Sequence, residues 1–489
     1  MIKLYNLIPD KIIKQQNISN ISLCGISCDS RKIKKNYIFA ALVGVSKNGL
    51  DYINEAINNG AIVIITDNNN IKKLKYDDIQ IISHKYPRKL YARICNKFSK
   101  YKFKNIVGIT GTNGKTSVAW YVHQFSKLLF SKTATIGTLG VNYKKIIKNN
   151  NLTTPESEVL VSSLDKLYSK DVENIIIEAS SHGLDQFRLE GINFNIAVIT
   201  SLSRDHLDYH KSFKNYKKAK LKLFSDFSKN GKAIINDNIK QSNEFIEVAN
   251  SNNMQIITIG QSSKSIFKYK LLKITDQLHK VEITYKNYKS IIYSSLIGNY
   301  QINNLITAIC IMIEMGYRRE DIEKHSINIK PPPGRIELIS SIKGADIYTD
   351  YAHTPDALKN VLLSLRPYVK NKLYLVFGCG GDRDKGKRGQ MGKIAHQLAD
   401  INIITDDINI ITDDNPRFEN PKNIRKEILQ CCPNAIEIGD RKKAIIKTIQ
   451  KLVRGDILLV AGKGHENSQE INGRHLNFDD AKIIKSMIN

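Results

Sequence analysis

The apolar residues of this chain form two kinds of pattern that repeat along its length. Short segments of strand length at residues 106–109, 173–178 and 195–200 each contain an unbroken apolar run, at 106–109, 175–177 and 196–199. Between and after them, apolar residues recur at helical spacing, as they do over residues 118–129 and 213–227. Continuous apolar strands that alternate with helices are typical of parallel sheets. The pattern therefore predicts an α/β fold.

Changes in this pattern divide the chain into three predicted domains, residues 1–90, 91–332 and 333–489. Residues 265–297 alternate in the strand period, which predicts antiparallel strands, and the proline-rich segment 331–334 predicts a stiff link. The remaining predicted elements are helices at 51–59 and 303–315 and strands at 37–43, 61–66, 345–349, 373–377, 410–412, 435–438 and 456–461.

An internal repeat complicates one of these strands. Residues 401–407 read Ile-Asn-Ile-Ile-Thr-Asp-Asp, and residues 408–414 repeat them without change. Only one copy can be the sheet strand in a given register, so the other copy should form an insert. The predicted strand at 410–412 belongs to the second copy, and the sequence leaves open which copy pairs.

A glycine-rich turn follows the apolar run at 106–109 and precedes the helical pattern at 118–129. A strand, a glycine-rich turn and a helix in this order form a phosphate cradle, in which Lys115 reaches the outer phosphates and Thr116 ligates Mg²⁺. Ile109 stands where the usual pattern has glycine, so this is a variant loop. We expect ATP binding rather than a chance turn, through Gly111, Thr112, Asn113, Gly114, Lys115, Thr116 and Ser117.

Two further polar residues follow predicted strands at the same edge of the sheet. Glu178 ends the strand at 173–178, and His206 comes soon after the strand at 195–200. In an open parallel sheet, residues just past the strand C-termini line the ligand crevice. We therefore expect both side chains near Lys115, although a buried structural role is the alternative for His206.

Composition narrows the class of protein. The chain has 489 residues, 42% of them apolar, and a formal net charge of +27. The lysines are spread along the chain, and no nucleic-acid-binding motif stands out, so small anionic substrates are expected rather than nucleic acid. A basic nucleic-acid-dependent NTPase and a decayed, binding-only relative are the alternatives of other classes.

Cysteine usage and the length of the apolar runs indicate the cellular compartment. The seven cysteines lack the spacing of a zinc site and suggest reduced thiols. No run is apolar enough to predict a signal peptide or a transmembrane helix. We expect a cytoplasmic monomer without stable membrane insertion.

Taken together, seven motifs resemble the Mur ligase family of ATP-dependent amide-forming enzymes. They occur in the family's order and spacing over nearly the whole chain, at residues 110–116, 178–184, 205–210, 350–355, 378–388, 414–417 and 462–466. The resemblance implies a UDP-substrate-binding domain, a central P-loop ATPase-type parallel sheet and a C-terminal Rossmann-like domain that binds an amino acid. It implies a reaction through an acyl phosphate in peptidoglycan synthesis.

The resemblance is strongest to the branch that adds meso-2,6-diaminopimelate to UDP-MurNAc-L-Ala-D-Glu. It assigns the amino acid to Arg383, Asp414, Asn415, Pro416, Arg417, Gly462 and Glu466. Arg417 and Arg383 can pair the extra carboxylate of diaminopimelate, and Glu466 its ammonium. Arg388 is a lower-ranked candidate for the same carboxylate. The alternatives are a lysine-adding relative, a folylpolyglutamate synthetase, or arginines that only decorate a basic surface.

The family positions also imply sites for the other ligands. ATP is assigned to Asn304, Arg335, Asp350 and His353 besides the phosphate cradle, with Gln301 where asparagine is common. The UDP-substrate is assigned to Ser30, Thr153, Thr154, Ser180, Gln186 and Arg188. For the segment Thr153-Thr154-Pro155-Glu156, a helix N-cap is an even alternative. The loop at 45–49 departs from the family pattern near the uridine.

The metal positions follow from the same resemblance. Thr116 and Glu178 are implied to hold one Mg²⁺, and His206 with Lys220 a second. The family carbamylates the matching lysine with CO₂. A bare lysine would repel the metal, whereas a carbamate would attract it. Because other lysines crowd this helix, a solvated charged face is the alternative for Lys220.

Overall fold

A computed structural model describes residues 1–16, 18–44, 48–70, 76, 78–148, 152–275, 278–380, 384–405, 419–466, 468–471 and 474–487. Three sheets of four or more strands organise these residues, and each is mostly parallel, while two further two-stranded sheets are antiparallel. The predicted α/β fold is thereby confirmed. None of the helices among the described residues combines the length and the apolar character that crossing a bilayer requires.

The first sheet has the strand order β3-β4-β5-β6 and is parallel throughout. Helix α4 packs on it with buried Leu90, Tyr91 and Ile94. The strands up to residue 83 are β1 Ile2–Lys3, β2 Ser22–Leu23, β3 Gly25–Ser27, β4 Tyr37–Ala40, β5 Ala61–Thr66 and β6 Gln80–Ser83. The helices are α1 Leu4–Leu7, α2 Asp10–Gln16, α3 Ile53–Asn58 and α4 Pro87–Lys97.

The second sheet has eleven strands in the order β10-β9-β8-β11-β7-β12-β13-β14-β15-β16-β17. Its strands are β7 Asn105–Thr110, β8 Thr133–Gly137, β9 Gly140–Tyr143, β10 Lys145–Lys148, β11 Asn174–Glu178, β12 Ile196–Ile199, β13 Lys232–Asn236, β14 Gln255–Gly260, β15 Phe267–Thr275, β16 Leu278–Tyr285 and β17 Tyr288–Ser294. The strands from β8 through β14 in this order run parallel, and the last three pair antiparallel, as the alternation predicts.

Helices cover both faces of this sheet, and β7, the fifth of its eleven strands, is buried between them. Helices α5 and α11 pack on one face through residues such as Val118, Tyr121 and Leu305, and α6 and α9 cover the other face. The helices are α5 Lys115–Leu128, α6 Ser157–Tyr168, α7 Ser181–Asp185, α8 Leu207–His210, α9 Phe213–Ser225, α10 Ser242–Asn250, α11 Asn299–Glu314 and α12 Arg319–Lys324.

The third sheet has the order β18-β19-β23-β20-β21-β22 and is parallel except for β18. Its strands and the hairpin that follows are β18 Arg335–Ile342, β19 Ala345–Asp350, β20 Leu373–Phe377, β21 Ile401–Thr405, β22 Ile436–Ile438, β23 Ile457–Ala461, β24 Ser468–Ile471 and β25 Arg474–Asn477. The helices are α13 Pro355–Leu365, α14 Gly386–Leu398, α15 Pro421–Leu429, α16 Arg441–Lys451 and α17 Asp480–Lys485.

The repeat is resolved in favour of its first copy. Strand β21 consists of Ile401–Thr405, and it pairs with β20 in the register Val376 opposite Ile403. The strand predicted at 410–412 lies outside the described residues. Since Ile403 and Ile404 are both buried in β21, the first copy fills the place that the sequence pattern left to either copy.

Candidate functional site

The glycine-rich loop between β7 and α5 adopts a backbone that only glycine accommodates at two points. Gly111 and Gly114 have φ angles of 150° and 92°. A Cβ atom on Gly111 would lie 2.0 Å from Thr200 Oγ1, and one on Gly114 would lie 2.6 Å from Asn304 Oδ1. The loop therefore packs directly against Thr200, just past β12, and against α11.

Residues at the end of β12 hold this loop in place. Thr200 Oγ1 donates a hydrogen bond to the carbonyl of Asn113 at 2.5 Å, and Ser201 Oγ accepts one from the Asn113 amide at 2.8 Å. The Thr112 hydroxyl accepts from the Ser203 amide at 3.0 Å. The sequence reading did not single out these residues, although their place just past a strand is the signal that identified Glu178 and His206.

Two ammonium groups converge on one carbonyl oxygen of the loop. Lys115 Nζ donates to the Gly111 carbonyl at 2.7 Å, and Lys220 Nζ donates to the same oxygen at 2.8 Å. Lys220 is only 1% exposed, and its ammonium also lies 4.6 Å from the centre of the Tyr216 ring. Burial lowers the pKa of Lys115, and burial together with the charge of Lys115 lowers the pKa of Lys220 well below its usual value.

A buried carboxylate faces the first turn of α5. Thr116 Oγ1 donates to Glu178 Oε2 at 2.8 Å, and the Thr138 amide donates to Glu178 Oε1 at 3.0 Å. Glu178 is 2% exposed, and burial raises its pKa, against the opposing charge of Lys115. The structure thus brings Glu178 to the phosphate loop, as the strand positions predict.

His206 occupies a left-handed backbone conformation, with φ of 52°, at the start of α8. Its imidazole Nε2 lies 3.5 Å from Asp205 Oδ2, and its ring packs edge-on against His182 with 4.7 Å between centroids. Burial lowers the pKa of His206, and Asp205 opposes that shift. Burial would raise the pKa of Asp205, but His206, His353 and Lys387 together bring it to about 2.

These donors fit a hard divalent cation only in part. The hydroxyl of Thr116 and the carboxylate of Glu178 are adjacent oxygen ligands of the kind that Mg²⁺ prefers. Within the described ranges, no group of three or more His, Cys, Asp or Glu side chains forms a metal cluster. A second cation near His206 would need an anionic group in place of the Lys220 ammonium, which a carbamate would supply.

A cleft of about 320 Å³ opens beside the phosphate loop, between the second sheet and the third. Asn304, Arg335 and Asp350, which were assigned to ATP, all line it, as does Ser117. Asp350 accepts hydrogen bonds from two backbone amides, and burial raises its pKa to about 6. His353 does not line this cleft and instead borders a small cavity beside His206. Gln301 accepts a hydrogen bond from Tyr121.

Most residues assigned to the UDP-substrate lie together around α7. Thr154 Oγ1 donates to the Glu178 carbonyl at 2.6 Å and to Ser180 Oγ at 3.0 Å. Arg188 donates to the Thr154 carbonyl at 2.8 Å and to Gln186 Oε1 at 2.6 Å. The N-cap of helix α6 is Glu156, which lies in the segment 153–156 that the capping alternative named, and its side chain makes no capping hydrogen bond. Thr153 and Thr154 precede the cap.

Ser30 is the member of this set that the structure does not bring to the cluster. Its hydroxyl donates to Glu55 Oε2 at 2.7 Å within the first domain. A cleft of about 480 Å³ separates the first sheet from α7, and Gln186 lines it. The aromatic pair Tyr86 and Phe187, with ring centroids 5.7 Å apart, lines the same cleft and was missed in the sequence, where neither residue stands in a distinctive motif.

The residues assigned to the amino acid are only partly described. Arg383, Asp414, Asn415, Pro416 and Arg417 lie outside the described residues. Gly462, just after β23, has φ of 114°. In the segment that follows it, the Glu466 amide donates a hydrogen bond to the Lys463 carbonyl.

Arg388, the lower-ranked candidate, has a different role from the one considered. Its guanidinium is 1% exposed and pairs with Glu419 at 2.8 Å and with Glu427 at 3.1 Å. Two carboxylates already neutralise it in the interior of the third domain. The hypothesis that Arg388 receives the substrate carboxylate is therefore wrong, because its buried charge is already paired with Glu419, just before α15, and with Glu427 on α15.

Three domain families match successive parts of the chain. Residues 22–99 match the Mur ligase family catalytic domain, residues 109–312 the Mur ligase middle domain, and residues 334–464 the Mur ligase glutamate ligase domain. The matched ranges contain the strands of the first, second and third sheets respectively, except that β7 begins at Asn105, ahead of the second range, and the hairpin of β24 and β25 follows the third range.

Two relatives that match nearly the whole chain carry the same name. The chain is 40% identical over 484 residues to the UDP-N-acetylmuramoyl-L-alanyl-D-glutamate–2,6-diaminopimelate ligase of Rickettsia typhi, which covers 97% of this chain and 95% of that protein. It is 36% identical over 474 residues to the protein of that name from Mesorhizobium japonicum, with 96% of each covered.

Solved structures agree with these relatives. A structure of a ligase of the same name is 30% identical and superposes with a TM-score of 0.68, covering 98% of both chains. A MurF ligase from Thermotoga maritima in complex with ADP, at 17% identity and a TM-score of 0.62, shares the fold over 89% of this chain and 93% of its own.

Proposed function

The chain belongs to the Mur ligase family, and from that premise we propose that it is the ATP-dependent ligase that adds meso-2,6-diaminopimelate to UDP-MurNAc-L-Ala-D-Glu. The reaction joins a carboxylate to an amine and forms ADP and phosphate. It is a step of peptidoglycan synthesis.

The observation that carries the proposal is the convergence of Lys115 and Lys220 on the Gly111 carbonyl, beside the Thr116–Glu178 pair. Phosphoryl transfer from ATP to a carboxylate brings two anions to bonding distance. Cations that are fixed before the substrates arrive offset this repulsion without reorganisation. Lys115 supplies one such cation, and a Mg²⁺ held by Thr116 and Glu178 would supply another.

The roles of the nucleotide residues follow from the cleft. Lys115 binds the outer phosphates, and Gly111, Thr112, Asn113, Gly114, Thr116 and Ser117 form the rest of the loop around them. Asn304, Arg335 and Asp350 bind the rest of ATP, and the placement of His353 beside His206 favours a role near the transferred phosphate. Thr116 and Glu178 would hold Mg²⁺, which would screen the charge of the β- and γ-phosphates.

Lys220 is suited to carbamylation by its surroundings. Burial and the neighbouring Lys115 favour the neutral amine, which is the form that attacks CO₂. The carbamate would replace a buried cation by an anion. With His206, it would hold a second Mg²⁺ on the side of the acyl phosphate.

We assign the donor and the amino acid to different domains. Thr153, Thr154, Ser180, Gln186 and Arg188 bind the donor, with Ser30 contributing from the first domain. Arg383, Asp414, Asn415, Pro416, Arg417, Gly462 and Glu466 bind diaminopimelate. We place the domain bounds at 1–90, 91–332 and 333–489, and each range contains one mainly parallel sheet. A cytoplasmic monomer that binds no nucleic acid is part of the proposal.

The chemistry proceeds in two steps. A free carboxylate oxygen of the D-glutamyl residue attacks the γ-phosphorus, the bond to the ADP oxygen breaks, and an acyl phosphate forms. The amine of diaminopimelate then attacks the acyl carbon and loses a proton, and the carbon–oxygen bond to phosphate breaks. Lys115 holds the charge of the transferred phosphoryl group, and Asp205 orients the His206 segment because its Oδ1 accepts a hydrogen bond from the His206 amide at 2.8 Å.

An assay of amide formation with meso-diaminopimelate, lysine and glutamate in parallel tests the proposal. We expect product with meso-diaminopimelate, dependent on both ATP and the donor, because paired arginines discriminate for its extra carboxylate by about 2–5 kcal/mol. Product with lysine alone would contradict the assignment of Arg383 and Arg417. ATPase activity that polynucleotides stimulate without the donor would favour the nucleic-acid-dependent alternative.

A further inference from the structure

One ion pair joins the second and third domains beside the proposed reaction centre. Arg204 follows β12 and precedes Asp205 and His206, and Asp384 begins the turn that leads into α14. Arg204 Nε lies 3.1 Å from Asp384 Oδ2, and Nη2 lies 3.1 Å from Oδ1. The contact is therefore a two-point fork that fixes direction as well as distance.

Each partner is anchored in its own domain. The residue before Arg204, Ser203, donates its amide to the Thr112 hydroxyl of the phosphate loop at 3.0 Å. Asp384 Oδ1 accepts from the Gly386 amide at 3.0 Å, and Lys387 Nζ donates to the His353 carbonyl at 3.0 Å. A shift of one domain relative to the other would therefore change the distance and angle of the Arg204–Asp384 contact.

We propose that Arg204 and Asp384 are positioning residues that align the amino-acid-binding turn of the third domain with the acyl phosphate on the second. This inference rests on the proposed function. Asp384 directly follows Arg383, which is assigned to diaminopimelate, and Arg204 lies two residues before His206. The pair thus connects the segment that presents the amine with the segment that faces the activated carboxylate.

The exposure of the pair suits an alignment role. The Arg204 side chain is 50% exposed and that of Asp384 17% exposed. An ion pair in contact with water is too weak to hold two domains closed by itself. The pair can favour the arrangement in which the second and third domains are in contact, and it can still break when product leaves. A misplacement of the amine would slow its attack much more than it would slow phosphoryl transfer.

The two half-reactions can be measured separately. Hydroxylamine, a small nucleophile that needs no binding site on the third domain, traps the acyl phosphate as a hydroxamate. Amide formation with meso-diaminopimelate reports both steps. We would compare wild-type protein with Arg204→Gln, Asp384→Asn and the double variant in both assays, and record a melting curve for each.

We expect Arg204→Gln to lower kcat/KM for diaminopimelate about 5-fold while hydroxamate formation stays within twofold of wild type. Asp384→Asn keeps an oxygen for the Gly386 amide and should have a similar effect. The double variant should lose no more than either single one, because both remove the same contact. Arg366→Gln is the control: Arg366 pairs with Asp400 at 2.8 Å, entirely within the third domain, and both assays should be unchanged.

Three results would overturn the inference while leaving the proposed function intact. These are equal losses of hydroxamate and amide in Arg204→Gln, additive losses in the double variant, and wild-type amide formation in both single variants. A wild-type protein that forms neither hydroxamate nor amide would overturn the proposed function and, with it, the alignment role of the pair.

Discussion

On helix α9, Lys218 and Lys220 are two residues apart and lie in opposite environments. Lys218 is exposed to solvent, whereas Lys220 is 1% exposed and bonded to the phosphate loop. The sequence offers several lysines on this helix, and their spacing alone does not say which one is buried. At this scale, burial and contact with Gly111 distinguish a reactive lysine from one that only solvates a helix face.

Replacement of Lys220 by alanine should abolish most activity. We expect Lys220→Ala to lower the rate of amide formation roughly 100-fold, because a carbamate can no longer form and the proposed second cation loses a ligand. The rate is measured with all three substrates saturating. Lys218→Ala, on the same helix, should retain wild-type activity. Equal losses in the two variants would contradict the assignment of Lys220.

Among the elements, the ends of β8 and β11 set the position of the Glu178 carboxylate. The two strands are parallel neighbours, and Gly137 at the end of β8 leaves room for the glutamate. A Cβ atom on Gly137 would lie 2.0 Å from Glu178 Oε1. The glycine therefore has a steric reason that neither strand shows by itself.

This close approach predicts the effect of a methyl group. Gly137→Ala should displace Glu178 from Thr116 and raise KM for Mg²⁺-ATP by roughly 10-fold or more, since ligand-orienting neighbours have effects of about that size. A titration of ATP at several Mg²⁺ concentrations measures it. Gly389→Ala on α14, where the added Cβ meets only Cys431 Sγ at 3.2 Å, is the control and should leave KM unchanged. An unchanged KM in Gly137→Ala would contradict the proposed role of Glu178.

In the whole molecule, the three proposed ligand sites lie on three domains that are joined in different ways. Helix α4, which crosses the boundary at residue 90 and packs on the first sheet, pairs through Arg93 with Glu190 at 2.6 Å. Ser27 of the first domain donates a hydrogen bond to Glu158 of the second at 2.7 Å. The third domain meets the second along the nucleotide cleft and the Arg204–Asp384 pair. Since the cleft is open, water must leave it before an acyl phosphate can survive.

We therefore expect the protein to become more compact when its ligands bind. Small-angle scattering should show a smaller radius of gyration with a non-hydrolysable ATP analogue and the UDP-linked donor together than in the free protein. The analogue without the donor is the comparison that separates nucleotide binding from closure. An unchanged radius of gyration in the presence of both ligands would contradict closure.

Much of the architecture was predictable because it depends on near neighbours in the sequence. The strand–turn–helix of the phosphate loop, the antiparallel strands of 265–297 and the α/β alternation are local periodicities, and the structure confirms them. Some strand ends were misplaced by a few residues: the first domain's strand ends at Ala40 rather than at residue 43. Ends depend on where the partner strand stops, which local pattern does not contain.

The sequence by itself determined the phosphate loop, the order of the motifs and the family to which they belong, since each is a matter of residue type and spacing. Only the tertiary structure decided which identical copy forms β21, that Arg388 is neutralised by Glu419 and Glu427, and that Lys115 and Lys220 share the Gly111 carbonyl. The physical reason is that burial and ion pairing depend on residues brought together from distant parts of the chain. Here Gly111 and Lys220 lie more than a hundred positions apart in sequence, yet they are in contact.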